Sequence, residues 1–592
     1  MKKTVLPGVL ALGLILLIAS CGGSSAAAGN EGVMVWRGTV GGGRLVNNLN
    51  PHTISVAGDS DIASFLFATL LVRNPRSTEW EFIPAMASAL PTISEDGLVW
   101  TFPIRRGLTW STGTPINAHT YEYSLRMLLD PKLVNRNATT YWTNVDVVNA
   151  RAYFLGENAP DYGLPIVTWD DVGIKAIDDY TLQFTLSTRT LPLIGIQTLG
   201  TSSSAWLVYE SLYEAGMNAD RTETTYGTGD LMEVPYYGAY RLTDFVLDQY
   251  LELQKNPNFI LADYYTRETF SFRLVDIDSV RDQLFTAGET DTLSIPAASY
   301  DTWMEDPRTR QGRGGQPWHI YLNTQSTEVA ALRDVNFRQA LYYSVDRDTL
   351  AFAAFRTFIG AAGYIGTQAV VGDVFAGTIE AYRDSQYGRT ALPANLGYDL
   401  TIANRYFDVA FANNGNQRIQ FNLGYFEGQD SMRRMAEVLQ EMWMNAFGAD
   451  RLNVVIVAVP PSALYDSYAD RTHQAGIGSM TQNSLNIWAS MQVWTSTFTD
   501  KIDTFFNAEF DDLFTRTTTG DLLFASADER ARALMRMEQL LLEYAPVIPL
   551  FQNTNWVAYS ERTHLLSEDF LAAGLGFLID RVDPMAWTST AP

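Results

Sequence analysis

The decisive stretch runs Phe82-Ile83-Pro84-Ala85-Met86-Ala87, then Ser94-Glu95-Asp96-Gly97-Leu98-Val99-Trp100-Thr101-Phe102-Pro103-Ile104-Arg105-Arg106-Gly107-Leu108-Thr109-Trp110-Ser111-Thr112-Gly113-Thr114-Pro115-Ile116-Asn117-Ala118. Asp-Gly at 96–97 is the dipeptide of a tight hairpin turn, because glycine accepts the left-handed backbone the turn demands. After it, Trp100, Phe102 and Ile104 alternate with Thr101, Pro103 and Arg105, the pattern of a half-buried strand, and Pro103 favours an edge position. Arg105 to Gly107 ends that strand, and Thr112 to Pro115 turns the chain into a helix beginning near Ala118.

Strand and helix signals continue to alternate outward from this block. Tyr180, Leu182, Phe184 and Leu186 alternate with Thr181, Gln183 and Thr185 after an Asp178-Asp179 turn, a second strand. From Asp430, Met432, Met435, Ala436, Leu439, Met442, Trp443, Ala446 and Phe447 follow helical spacing; Gly448 stops the helix, and Leu452 to Val459 reads as a buried strand. Ser526 and Glu529 form a capping box, opening a helix whose stripe includes Ala531, Leu534, Met535, Glu538 and Leu541. Pro546 closes it, and Val547 to Phe551 reads as a strand. The chain is therefore α/β, with more than one lobe.

At 592 residues, 46% hydrophobic and 18% charged, the composition is that of a globular protein and excludes disordered, collagenous, coiled-coil and disulfide-scaffold classes. The net charge of −24 repels nucleic acid and anionic membrane surfaces as main partners. The lone cysteine, Cys21, follows Lys2-Lys3 and an apolar run from Val5 to Ala19, the layout of a secretory signal over 1–20. That run, of about 15 residues, is short for a spanning helix, which needs about 20. Ile18-Ala19-Ser20-Cys21 resembles a bacterial lipobox, which implies lipidation at Cys21, and the Gly/Ser/Ala-rich residues of 21–32 read as a flexible tether.

Searches for reaction chemistry return little. The histidines His52, His119, His319, His473 and His564 are not at metal-ligand spacing, and neither H-E-x-x-H nor C-x-x-C occurs, so no metal is expected. There is no G-x-S-x-G elbow, phosphate loop or dinucleotide fingerprint. Asp170-Asp171 and Asp511-Asp512 read as solvated surface, although two carboxylates meeting only in space would still permit glycoside hydrolysis. No cofactor and no catalytic group is expected.

The block from Ile83 to Ala118 resembles the signature of the extracellular solute-binding proteins, family 5, receptors of peptide- and nickel-type ABC importers. Further segments resemble that family in the same order: Asn50-Pro51-His52 with Leu66 to Leu71, Val172 to Thr181, Leu332 to Leu341 with Asp346-Arg347, and Ala545 to Leu550. The resemblance implies a two-lobed, type II periplasmic-binding-protein-like fold with an extra subdomain and a hinged cleft. It places the first lobe in 33–50, 170–320 and 551–592, the small subdomain in 51–169, the second lobe in 325–547, and the crossings at 321–324 and 548–553. It also implies a monomer in the cell envelope that holds a ligand between its lobes and hands it to an ABC permease and ATPase complex, with the membrane reached through the lipid on Cys21.

In the oligopeptide-binding branch, an aspartate following a Gly-Trp pair captures the peptide ammonium. The corresponding stretch here looks like Ala475-Gly476-Ile477-Gly478-Ser479-Met480-Thr481-Gln482-Asn483, with Ser479 in the tryptophan's place and Gln482 in the aspartate's. A glutamine carbonyl accepts a bond from an ammonium without neutralising it, so peptides with free N-termini lose ground unless Asp470 or Asp500 supplies the charge. Amides beside aromatic plates also suit neutral polyols. The cleft candidates are Gln482, Asn483, Trp488 and Trp494; Gln552 and Asn553 at the return crossing; Tyr141 and Trp142 where the subdomain reaches the cleft; Asn323 at the first crossing; and Ser55, which matches a cleft-facing position of the peptide branch. His319 reads as structural rather than as a nickel ligand. The expected function is thus a receptor for a peptide or similar oligomer; an oligosaccharide receptor, or a sensory or hydrolytic surface lipoprotein on the same scaffold, are the alternatives.

Overall fold

The computed structural model describes residues 35–40, 46–55, 57–74, 81–265, 267–313, 317–367, 369–373, 375, 377–479, 487–498, 501–554, 556–561, 563 and 570–571. The signature block folds as its residues dictate. Thr92–Ile93 and Val99–Pro103 form the hairpin; Gly97 takes a φ of +76°, its N–H donates to the Ser94 carbonyl at 2.8 Å, and the Ser94 hydroxyl donates to Asp96 Oδ1 at 2.5 Å. Val99–Pro103 pairs with Thr181–Thr185, which pairs in turn with Ile174–Asp178, giving a four-stranded antiparallel sheet. Its short neighbour reaches only Trp100 and Thr101, so Pro103 lies past the end of that pairing. Trp100, Phe102, Leu182 and Phe184 fill one face and are fully buried. The helix after Pro115 is Ala118–Leu128, capped by Asn117 and Thr120 in a reciprocal box.

This sheet spans the expected boundary at 169/170, pairing residues on both sides of it. Strands Ile174–Asp178 and Thr181–Thr185 belong to the subdomain, since the alternation that made 180–186 a strand also requires a sheet partner, and that partner is Val99–Pro103. The first lobe has two sheets of its own. In one, Val35–Val40 runs parallel to Thr269–Leu274, followed by Tyr250–Lys255 and Tyr240–Val246. In the other, Trp556–Tyr559 lies between Thr292–Ser294 and Thr309–Arg313, with Phe570–Leu571 at the far edge. Asp291 joins the two: its carboxylate accepts from the Arg37 N–H at 2.8 Å, and its own N–H donates to the Arg37 carbonyl at 2.8 Å.

The second lobe is built on a six-stranded sheet ordered Ile359–Gly360, Val547–Gln552, Pro317–Leu322, Ala475–Ser479, Ile419–Phe426, Leu452–Val459. Leu452–Val459 is thus an edge strand, not a buried one: Leu452 and Val454 face the core while Val455 is 36% exposed. Asp430–Phe447 covers it as an 18-residue helix whose buried stripe is the one read from sequence, ended by Gly448 at a φ of +86°. Ser526 and Glu529 cap Ala527–Tyr544 reciprocally.

Two strands pass between the lobes side by side. Thr309–Arg313 pairs antiparallel with Trp556–Tyr559 in the first lobe, and Pro317–Leu322 pairs antiparallel with Val547–Gln552 in the second. The Thr554 hydroxyl bonds the Gly312 carbonyl where the two chains cross. Of the crossings expected at 321–324 and 548–553, residues 321–322 and 548–552 lie within strands of the six-stranded sheet. Ile320, Tyr321 and Leu322 are at most 1% exposed, so this apolar run takes a central place in a sheet instead of serving as a connector. Among the described residues, no helix is long and apolar enough to cross a membrane.

Candidate functional site

A cavity of about 310 Å³ lies between the subdomain and the second lobe. Its subdomain wall is Trp142 to Asp146, Thr188 to Leu191 and Ile194; its second-lobe wall is Trp488, Gln492, Phe514, Thr518, Thr519 and Leu523. The subdomain wall is an extension of the four-stranded sheet. Val147 bridges Leu186, the Val148 N–H donates to the Thr185 carbonyl at 3.0 Å, and the Ser187 N–H donates to the Asp146 carbonyl at 2.7 Å. That pairing sets Asp146 beside the 187–191 segment. Pro192 then opens the short helix Pro192–Gly195, which lies directly on Trp100: a Cβ at Gly195 would fall 2.3 Å from the indole.

The opposite wall is shaped by helices Ile487–Gln492 and Ala508–Thr518. The turn between them is held by buried charge: Lys501 Nζ lies 2.8 Å from the Asp503 carboxylate and donates to the Trp494 carbonyl at 3.1 Å. A smaller cavity of about 30 Å³ adjoins the first, where Leu191 to Ile194 meet Val370 to Asp373 and the first turn of Ala527–Tyr544; Trp488 walls both. Near the cavity mouth the Arg189 guanidinium lies 4.9 Å over the Phe524 ring, and its Nε donates to the Asp96 carbonyl at 2.7 Å, so the signature hairpin touches the second lobe.

Of the expected site residues, the structure brings Trp142 and Trp488 together across this cavity. Tyr141 turns the other way, fully buried and stacked 6.5 Å from Phe184, because adjacent positions on a helix cannot share a face. Trp494 is 1% exposed and packs edge-on against Tyr364 at 5.3 Å and His319 at 6.1 Å, in the core behind the wall. Asn323 spends its side chain on backbone: Nδ2 donates to the Arg471 and His473 carbonyls at 2.8 and 2.9 Å, and Oδ1 accepts from the Gln325 N–H. Gln552 Oε1 accepts from the Thr367 N–H at 3.0 Å, and Asn553 is half-buried beside the crossing.

Ser55 is exposed on a loop whose Pro51 and Ile54 carbonyls accept from Asn137 Nδ2, and it does not line the cavity. His319 sits in the core, where burial pushes its pKa down to about 3 and keeps the ring neutral. Gln482, Asn483 and Cys21 lie outside the described residues. Among the described residues, no group of three or more His, Cys, Asp or Glu could hold a metal ion.

Sequence reading missed Asp146, Arg189, Gln492 and Phe514. Gln492 carried a faint signal, four positions after Trp488 on one helical face. Asp146 and Arg189 carried none, being loop charges among many. Burial raises the Asp146 pKa, with the Ser187 hydroxyl partly opposing it.

Two lobes joined by a paired-strand crossing, with a cavity between lobe and subdomain, define a two-lobed binding protein of the type II class. The family model for bacterial extracellular solute-binding proteins, family 5, matches residues 81–501, and the chain belongs to that family. It is 24% identical over 577 residues to the oligopeptide-binding protein OppA of Bacillus subtilis (strain 168), covering 94% of this chain and 96% of the relative. It is 24% identical to the periplasmic murein peptide-binding protein MppA of Escherichia coli (strain K12), covering 83% and 82%. Among solved structures, the unliganded open form of the murein tripeptide-binding protein MppA matches with a TM-score of 0.73 at 18% identity, covering 93% of this chain and 97% of that one. OppA of Listeria monocytogenes bound to peptide matches at 0.61 and 16%, covering 93% and 99%. These likenesses establish the fold, and the family is one of solute-binding proteins rather than enzymes.

Proposed function

We propose that this chain is the peptide-binding receptor of an ABC importer, taking its ligand into the cavity between subdomain and second lobe and passing it unaltered to a permease and ATPase complex. The observation that carries this reading is the cavity's composition: aromatic faces from Trp142, Trp488 and Phe514, neutral hydrogen-bonding groups from Asn144, Gln492 and the threonines, and one charge of each sign. A peptide offers apolar side chains, amides and two opposite terminal charges, which is the complement of that lining. The named relatives, OppA and MppA, support the same ligand class. The chain acts without catalysis, as a monomer, at the cell envelope, anchored by lipid on Cys21; incorporation of labelled fatty acid that is lost in Cys21→Ser tests the anchor.

Thermal denaturation of the purified protein against panels of peptides, oligosaccharides and metal salts tests the ligand class. A ligand at 100 times its Kd raises stability by about 2.7 kcal/mol. Peptides are expected to raise the melting temperature and the other panels to leave it unchanged. The facing tryptophans Trp142 and Trp488 favour one second reading, an oligosaccharide stacked between them, which a shift with the sugar panel alone establishes.

A further inference from the structure

Among the described residues, the charges on the cavity lining are few and all on one side. Of its sixteen described lining residues, Asp146 and Arg189 are the charged ones, both on the subdomain wall, and the described residues of the second-lobe wall carry no charge. Neither forms an ion pair with any described residue, the other included. The Arg189 guanidinium uses Nε on the Asp96 carbonyl and one face on Phe524, which leaves its two terminal nitrogens without a hydrogen-bond partner among the described residues. Asp146 is half-buried between Val145 and Val147, 2% and 1% exposed, and the sheet pairing at Ser187 fixes its backbone. A carboxylate set in such a wall without a cation carries a desolvation cost that an incoming ammonium relieves. The direction of the Asp146 pKa, raised by burial, agrees with that cost.

Resting on the peptide reading above, we infer that Asp146 captures the α-ammonium and Arg189 the α-carboxylate of a peptide with both termini free, so that the subdomain wall reads the ligand's two terminal charges. The second-lobe wall then closes over the ligand with Trp488, Phe514 and Gln492, supplying stacking and neutral hydrogen bonds. An ammonium N–H donates to Asp146 Oδ, and the Arg189 terminal nitrogens donate to the carboxylate as a fork.

The test uses the full chain and three probes: a tripeptide mixture with free termini, the same mixture N-acetylated, and the same mixture C-amidated, titrated by calorimetry. Wild type is expected to bind the free mixture at least about tenfold more tightly than the acetylated one, the cost of losing one partner of a desolvated charge pair. Asp146→Asn should lose a similar factor for the free mixture and nothing further for the acetylated one, while Asp146→Glu recovers part of the loss. Arg189→Gln should behave likewise toward the C-amidated mixture. Equal wild-type binding of the free and acetylated mixtures overturns the assignment while leaving the peptide reading intact. So does an Asp146→Asn protein that discriminates between them as wild type does. Failure of wild type to bind any of the three mixtures overturns the peptide reading and this assignment together. The ligand-side comparison needs no variant, so it stands even if a substitution impairs folding.

Discussion

The two walls of the cavity rest on foundations of different physical kinds. Behind the subdomain wall lies a sheet filled with Trp100, Phe102, Leu182 and Phe184, all fully buried, and the wall itself is one more pairing on that sheet. Behind the second-lobe wall lie buried charges. Glu538, fully buried on Ala527–Tyr544, accepts from both Arg383 terminal nitrogens, at 2.5 and 2.8 Å, and from the Tyr364 and Ile365 N–H groups at 2.8 and 3.1 Å. Arg338 and Arg347, each 1% exposed, donate to carbonyls of the segment that returns to the first lobe: Tyr544 and Ala545 for one, Pro549 for the other. The 356–399 segment has only short ladders, Ile359–Gly360 on the central sheet and Val370–Val371 on Glu380–Ala381, and side-chain charge satisfies some of its remaining amides and carbonyls. Apolar packing therefore backs the wall that bears Asp146 and Arg189, and paired charge backs the wall that faces them.

The contrast can be broken most forcefully at Glu538. Glu538→Ala strands the Arg383 guanidinium in the core and should cost about 3–5 kcal/mol, read as a lower denaturation midpoint, whereas Glu538→Gln keeps the acceptor for the Tyr364 and Ile365 amides and should cost less. A loss no larger than that of an exposed ion pair would erase the distinction between the foundations.

Acid sharpens the comparison. Burial lowers the pKa of His319 to about 3 and of His473 to about 4 in the second lobe, and of His52 to about 3 on the other side, from 6.5. Below pH 6.5 the unfolded chain takes up these protons before the folded chain does, so stability is complete above that pH and falls toward pH 3–4. The slope is at most about 1.4 kcal/mol per pH unit for each histidine. His319→Phe should flatten the decline by one such share, measured as denaturation midpoints across that range.

Smaller effects follow at the rim. Ser526→Ala removes half of the capping box that opens Ala527–Tyr544 and should cost about 1 kcal/mol. Phe524→Ala, at a ring 47% exposed beneath Arg189, should change stability by no more than about 0.5–1 kcal/mol. Because it lies outside the cavity lining, it should alter ligand affinity less than any change at Trp488.

Local chemistry was legible in the residues. The Asp96-Gly97 turn, the 182–184–186 alternation, the helix after Pro115 and the box at Ser526 and Glu529 are settled within a few positions of chain, and each is where the pattern put it. The family likeness gave the two-lobed plan. Lobe boundaries were not legible, since they depend on which sheet a strand joins: 174–185 went to the subdomain and 317–322 to the second lobe by pairing with segments far away in sequence. The site was legible only in part. Aromatic identity does not say which way a ring faces, so Trp142 and Trp488 meet in the cavity while Tyr141 and Trp494 are core. Asp146 and Arg189 stand out only after folding sets them on one cavity wall with no opposing charge among the described residues.

The paired strands that join the lobes have a mechanical consequence. Gln311 faces Trp556 on one side of the junction and Pro317 faces Gln552 on the other, so two runs of chain, held in register on both sides, join the lobes instead of one. Any swing of one half against the other therefore has to bend both runs together.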